Sequence, residues 1–267
     1  MSSIEEKIND GYERDNSEKQ RKYIGASAIG GDCLAAISLA FRGFPETPPS
    51  PKLKRIFRLG HVIEDIVAAD LKKGELDVYE RDGLTGRQFE YRSHGNHVQA
   101  HADGHIEHDG ELRMLEIKSM NDARWKKCVK KGVRISDPRY QAQMQMMMAM
   151  SGISSCLFVA YNKNTSEYLS EVVPFDEFEA AEVLNKIERI MRGDAPKITK
   201  NIDDWRCRGC FQRGSCWLGE RPKVSTCRSC VSAIAKETGG WYCNRHEQDV
   251  DDDHVCDDHS HWEPSDG

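Results

Sequence analysis

Residues 97–120, HVQAHADGHIEHDGELRMLEIKSM, constrain this chain more than any other segment. Asp109-Gly110 stands between two strand-like runs and is a strong hairpin signal. If these two residues form the loop, His108 pairs with Glu111 and every pair of facing residues sums to 219. Asp103 and Glu116 satisfy that sum, so they would face each other on one side of the hairpin, with Cβ atoms about 4.5–5.5 Å apart. Lys118, two residues further on, points to the same face. Facing carboxylates repel unless a cation lies between them. Two acids and an ammonium form a site for a hard cation such as Mg²⁺, which takes one or two carboxylates plus water and substrate phosphate. The competing reading is an exposed strand face carrying a structural Glu–Lys pair.

The rest of the chain reads as a mixed α/β protein. Leu53, Ile56, Phe57, Ile63, Val67 and Leu71 recur at helical spacing between Lys52 and Lys73, and Gly74 ends the run. Helices are expected near 122–131, 138–151 and 175–191, and CLFVAY and EYLSEVV read as a strand pair around NKNT. The first twenty or so residues are charged and read as a frayed helix. With 267 residues and 38% hydrophobic content a sizeable core is available, but no run reaches the roughly 20 apolar residues of a membrane span. The polar start has no secretory h-region, so a cytoplasmic location is expected, in the bacterial host cell if the chain is phage-encoded. The net charge of −6 is unevenly placed: residues 247–267 carry nine acids and no Lys or Arg, which leaves +3 for the remainder. A mildly basic body permits nucleic acid as a partner, and the tail reads as disordered. Arg124, Lys126, Lys127, Lys130, Lys131 and Arg134 form a basic run after Lys118, suited to phosphate-backbone contact.

Ten cysteines without a signal peptide point to metal rather than disulfides. Cys207-x2-Cys210-x5-Cys216 supplies three thiolates where a tetrahedral site needs four. Cys227-x2-Cys230-x12-Cys243-x2-His246 has the spacing of a small zinc module, with Cys256-x2-His259 as a competing ligand pair.

The acid–acid–lysine set resembles the PD-(D/E)XK nuclease superfamily, in its RecB-like and lambda-exonuclease-like branch. RLGHVIEDIV resembles that branch's helical motif, with Gly60 four residues before the acid Glu64 and one turn from it, leaving space above the carboxylate. RYQAQMQMMMAM resembles the helix after the catalytic strand, with Tyr140, Gln143 and Gln145 near the site. Ala102 stands where the family has proline, and Met147 where RecB-type nucleases have tyrosine. His61 fits a ligand role less well than Glu64, and the methionines read as core. The resemblance implies a restriction-endonuclease-like core, a mixed sheet flanked by helices. It further implies that Glu64, Asp103, Glu116 and the Ile117 carbonyl hold Mg²⁺ or Mn²⁺, that Lys118 assists attack by water, and that Gln143 positions the site. In the iron–sulfur exonucleases of CRISPR adaptation and in AddB, one early cysteine joins three late ones around a [4Fe–4S] cluster. Cys33 with Cys207, Cys210 and Cys216 resembles that pattern, with structural Zn²⁺ as the alternative metal. The implied organisation is a leader (1–22), a nuclease domain (23–220), a zinc module (221–246) and an acidic tail (247–267). The implied activity is DNA cleavage, at ends or on single strands, in recombination, replication or repair. A recombinase, annealing protein or helicase would fit as a protein partner. The rival is a nucleic-acid-binding or adaptor protein whose zinc module carries function on a nuclease-like scaffold.

Overall fold

The computed structural model describes residues 2–15 and 21–266. The chain divides into two compact units. The first comprises residues 1–17, 49–91 and 100–181, and the second 18–48, 92–99 and 182–267.

The first unit begins with α1 (Ile4–Arg14), closed at its start by a reciprocal capping box between Ser3 and Glu6. The expected early helix is therefore capped at its N-terminus; residues 16–20 lie outside the described residues. Helix α2 (Pro51–Lys73) starts where Ser50 accepts a hydrogen bond from Leu53 N–H and Pro51 presets the first turn. It stops at Gly74, whose N–H donates to the Asp70 carbonyl. Strands β1 (Asp77–Tyr79), β2 (Gly104–His108), β3 (Glu111–Met120), β4 (Ser155–Asn162) and β5 (Tyr168–Pro174) form one sheet in chain order. All neighbours are antiparallel except β3 and β4, which run parallel. Parallel strands need a long crossover. Helices α3 (Asp122–Ser136) and α4 (Pro138–Ser151) supply it.

Alternation along β3 sets the site apart from the core. Leu115 and Ile117 join Ile106, Leu157 and Val159 against Ile63 and Val67 of α2. Glu116 and Lys118 alternate with them and so take the opposite face. Met144, Met146, Met147 and Met148 of α4 are all buried, in line with their reading as core. A mixed α/β architecture was expected, and this sheet with its helices is one.

The second unit has a small frame of its own. Ile24 and Gly25 pair in parallel with Val98 and Gln99, and three short strands (Ala233–Ala235, Trp241–Cys243, Gln248–Val250) form an antiparallel ribbon. Trp241 stacks on Phe41 at 5.2 Å between ring centroids. The buried Arg42 guanidinium donates to the carbonyls of Cys230 (2.9 Å) and Ala233 (3.1 Å). These contacts group residues 23–48 and 182–220 with the cysteine-rich region, so the compact units do not follow the boundary read at Glu220.

The acidic tail is another departure from the sequence reading. Instead of being disordered, it forms the third ribbon strand and buries Trp262, whose indole N–H donates to the Gly193 carbonyl at 3.2 Å. Five of its nine acids meet a basic side chain: Lys22 meets Asp252, Lys236 meets Asp249, Arg245 meets Asp258, Arg221 meets Glu263 and Lys197 meets Asp266.

Candidate active site

The hairpin has the expected register. Asp109 and Gly110 both take positive φ (55° and 75°), and the ladder runs from His108↔Glu111 to Gly104↔Leu115, every pair summing to 219. There it ends. Asp103 lies in a bend just outside β2 rather than opposite Glu116 in the ladder. A side-chain bond takes the place of the missing rung: Asp103 Oδ2 accepts from Ile117 N–H at 2.7 Å. The adjacent Gly104 is the last residue of the ladder and lies close under β1. A Cβ there would sit 2.8 Å from the Tyr79 carbonyl oxygen, so only glycine lets β1 approach this closely.

Glu116 is wholly buried. Its Oε1 accepts from Gln143 Nε2 at 2.8 Å and pairs with Lys118 Nζ. Its Oε2 is buried with no hydrogen-bond partner. Lys118 Nζ stands 5.3 Å from the centre of the Tyr140 ring. Glu64 extends from α2, where its carboxylate meets His61 Nδ1 at 3.2 Å. Lys118 and Glu64 lie near enough to Asp103 and Glu116 to act on the ionisation of both. Burial, opposed by Lys118 and reinforced by Asp103, pushes the Glu116 carboxyl up to about 7. Burial also raises Asp103, again against the pull of Lys118. At Lys118 burial acts to lower the pKa, but Glu116 and Asp103 together outweigh it and the ammonium is held charged.

Glu64, Asp103 and Ile117 line a cavity of about 220 Å³ together with Asp65, Ala68, Glu80, Arg81 and Gln88. The last three lie in the loop ERDGLTGRQ, where polar composition alone gave no reason to single them out. Gly60 gives no steric clearance for the carboxylate, since a Cβ there would meet nothing within 4 Å. Gln145 is occupied elsewhere: its amide donates to the Pro174 carbonyl and accepts from Asp176 N–H. Much of the basic run is tied up within the fold. Arg124 pairs with Asp137, Lys126 with Asp122, and Arg134 with Glu179, while Lys127 donates to the Ser136 carbonyl.

A divalent cation suits this donor set. When all three are ionised, the carboxylates leave two negative charges over the one ammonium, in a place where burial makes unbalanced charge costly. The partnerless Glu116 oxygen is the kind of buried acceptor that a cation or its water satisfies. As they stand, however, no three His, Cys, Asp or Glu side chains among the described residues are arranged to hold a metal ion. Each carboxylate has an oxygen committed to a protein partner. A pH dependence follows. Glu116 must ionise to bind a cation, so Mn²⁺ affinity measured by calorimetry should rise between pH 6 and pH 8 and then level off. In the metal-free protein the sign is opposite. A raised carboxyl pKa favours folding below the unfolded value, and that contribution is lost as pH rises through about 7. Lys118 remains protonated throughout this window.

Eight of the ten cysteines lie in two groups, and Cys128 and Cys156 stand apart, buried in the first unit. Cys33, at the N-terminal cap of the helix Leu34–Phe41, lines a small cavity together with Cys207, Cys210 and Cys216, despite its distance in sequence. Lys197, Arg213 and Trp217 line the same cavity. Burial raises the Cys210 and Cys216 thiols, and the neighbouring cysteines add to the effect. In the second group Cys227 lies near Cys256, Cys230 and Cys243. His246 is turned to Asp258, with Nε2 3.4 Å from Oδ2. All ten cysteines are free of disulfides. No helix among the described residues is long and apolar enough to cross a membrane.

No protein-family profile and no curated protein match the chain. Among solved structures, the chain is similar to LHK-Exo in complex with dAMP, at 20% identity and TM-score 0.45, over 63% of this chain and 85% of that one. It is also similar to the alkaline exonuclease LHK-Exo from Laribacter hongkongensis, at 18% identity and TM-score 0.45, over 69% and 90%. SSO0001 matches at 15% identity and TM-score 0.44, over 79% and 95%.

Proposed function

We propose that this chain is a metal-dependent nuclease that hydrolyses DNA phosphodiester bonds, acting as an exonuclease. The observation that carries the reading is Glu116: a fully buried carboxylate with one orphaned oxygen, set between Lys118 and Asp103. A structural Glu–Lys pair needs no third and fourth charge, whereas Asp103 and Glu64 bring the set to a net charge that a divalent ion balances. Glu64, Asp103, Glu116 and the Ile117 carbonyl would hold Mg²⁺ or Mn²⁺, which supplies a bound water of lowered pKa and neutralises phosphoryl charge. Lys118 is kept protonated by Glu116 and Asp103, so it can donate a hydrogen bond to a phosphoryl oxygen as negative charge grows there. The Tyr140 ring flanks that ammonium, and Gln143 fixes the rotamer of Glu116. For the first cysteine group we propose a [4Fe–4S] cluster on Cys33, Cys207, Cys210 and Cys216, with structural Zn²⁺ as the alternative; the shared cavity supports either.

The test is cleavage of linear and covalently closed circular DNA with Mg²⁺, Mn²⁺ or chelator. Metal-dependent release of nucleotides from linear DNA, with circles spared, is the expected result. Nicking or linearisation of circles would make it an endonuclease. Binding of DNA without cleavage under every condition would favour the adaptor reading.

A further inference from the structure

The second cysteine group offers a metal site whose ligands differ from those its spacing suggests. We infer that Cys227, Cys230, Cys243 and Cys256 form a four-thiolate site for Zn²⁺ or a similar thiophilic divalent ion, and that His246 is not a ligand. The site lies outside the proposed catalytic set and does not depend on the nuclease reading.

Local backbone geometry brings the four together. Cys227 and Cys230 bracket a tight turn in which Cys230 N–H donates to the Cys227 carbonyl at 3.0 Å, so both side chains project from one knuckle. Cys243 ends the central ribbon strand opposite Ala233, three residues beyond Cys230. The tail then returns past the same knuckle, where Cys227 N–H donates to the His254 carbonyl at 2.8 Å. That return brings Cys256, two residues beyond His254, beside Cys227. Cys227, Cys230 and Cys243 are each 3% exposed and none forms a disulfide.

Three nearby imidazoles are otherwise engaged. His246 pairs with Asp258, His259 Nε2 hydrogen-bonds Ser229 Oγ at 3.0 Å, and His261 Nε2 meets Ser225 Oγ at 3.2 Å. Among the described residues no three such side chains are arranged around an ion as they stand. Cys₄ is a common closed structural zinc set. Here it would fasten the returning tail to the ribbon.

The experiment uses the full-length protein, with metal content measured after purification and after Co²⁺ exchange. Cys256→Ser should lose one equivalent of metal per chain relative to the unaltered protein, and His246→Ala should lose none. Cobalt spectra should show the same intense tetrahedral bands and thiolate charge transfer in His246→Ala as in the unaltered chain. Cys256→His, which supplies a ligand of another kind, should keep the equivalent but shift those bands to higher energy; it serves as the readout if Cys256→Ser does not fold. Loss of the equivalent in His246→Ala would overturn the assignment, as would an unshifted cobalt spectrum in Cys256→His. A folded Cys227→Ser variant with unchanged metal content would show that the group holds no metal at all.

Discussion

Asp103→Ala, Glu116→Gln and Lys118→Ala should each lower metal-dependent DNA cleavage by about 10³-fold or more, since each removes a group acting where charge develops. The three should differ in their other properties. Glu116→Gln keeps the shape of the side chain and its Gln143 contact while removing a carboxyl that burial holds near 7. Thermal unfolding of that variant without metal at pH 8 should change less than that of Lys118→Ala, because relief of the buried carboxylate offsets part of the lost Lys118 pair, even as turnover collapses. Asp103→Ala also removes the carboxylate that accepts from Ile117 N–H, so a moderate loss of stability should accompany its loss of activity. Lys118→Ala leaves Glu116 and Asp103 without their counter-charge, and its stability should depend more on added Mn²⁺ than that of the unaltered protein. The measurements are single-turnover rates on linear DNA, DNA affinity and unfolding curves with and without metal. Full Mg²⁺-dependent rates in all three variants would remove the site assignment.

How much of this was legible in the sequence depended on how local the controlling physics is. The hairpin register is local: an Asp-Gly turn and a period of two determine every pair from 108↔111 to 104↔115. The capped α2 helix is local in the same way, with Ser50-Pro51 at one end and Gly74 at the other. The position of Asp103 is not, because the ladder ends at Gly104 and the Asp103 side chain, not its backbone, takes the Ile117 N–H, which no pattern within residues 97–120 reports. Arg81, Glu80 and Gln88 reach the cavity through a loop whose course is set by the chain around it. The choice between His246 and Cys256 is also non-local. Spacing favours the nearer residue, whereas the fold brings the tail back across the Cys227–Cys230 turn.

The tail gives the second large effect. Counting its charges led to an expectation of disorder, but charge is not what holds it. Its ion pairs are largely exposed, and such pairs contribute about 0–1 kcal/mol each. Asp258→Ala should therefore change unfolding by less than about 1 kcal/mol. Trp262 is a different matter. It is 4% exposed, its backbone N–H donates to the Ser229 carbonyl at 2.8 Å, its indole donates to Gly193, and the Arg42 guanidinium lies 5.1 Å from its ring. Trp262→Ala removes the largest apolar contact of the tail and leaves the Gly193 carbonyl without its indole donor, so the expected loss is about 3–5 kcal/mol. Urea unfolding followed by circular dichroism, with proteolysis of the native protein as a second readout, measures both variants. Protease sites should open within residues 251–266 of Trp262→Ala and stay closed in Asp258→Ala. Equal, small effects from the two substitutions would mean that the tail is held by its charges and that the indole is dispensable.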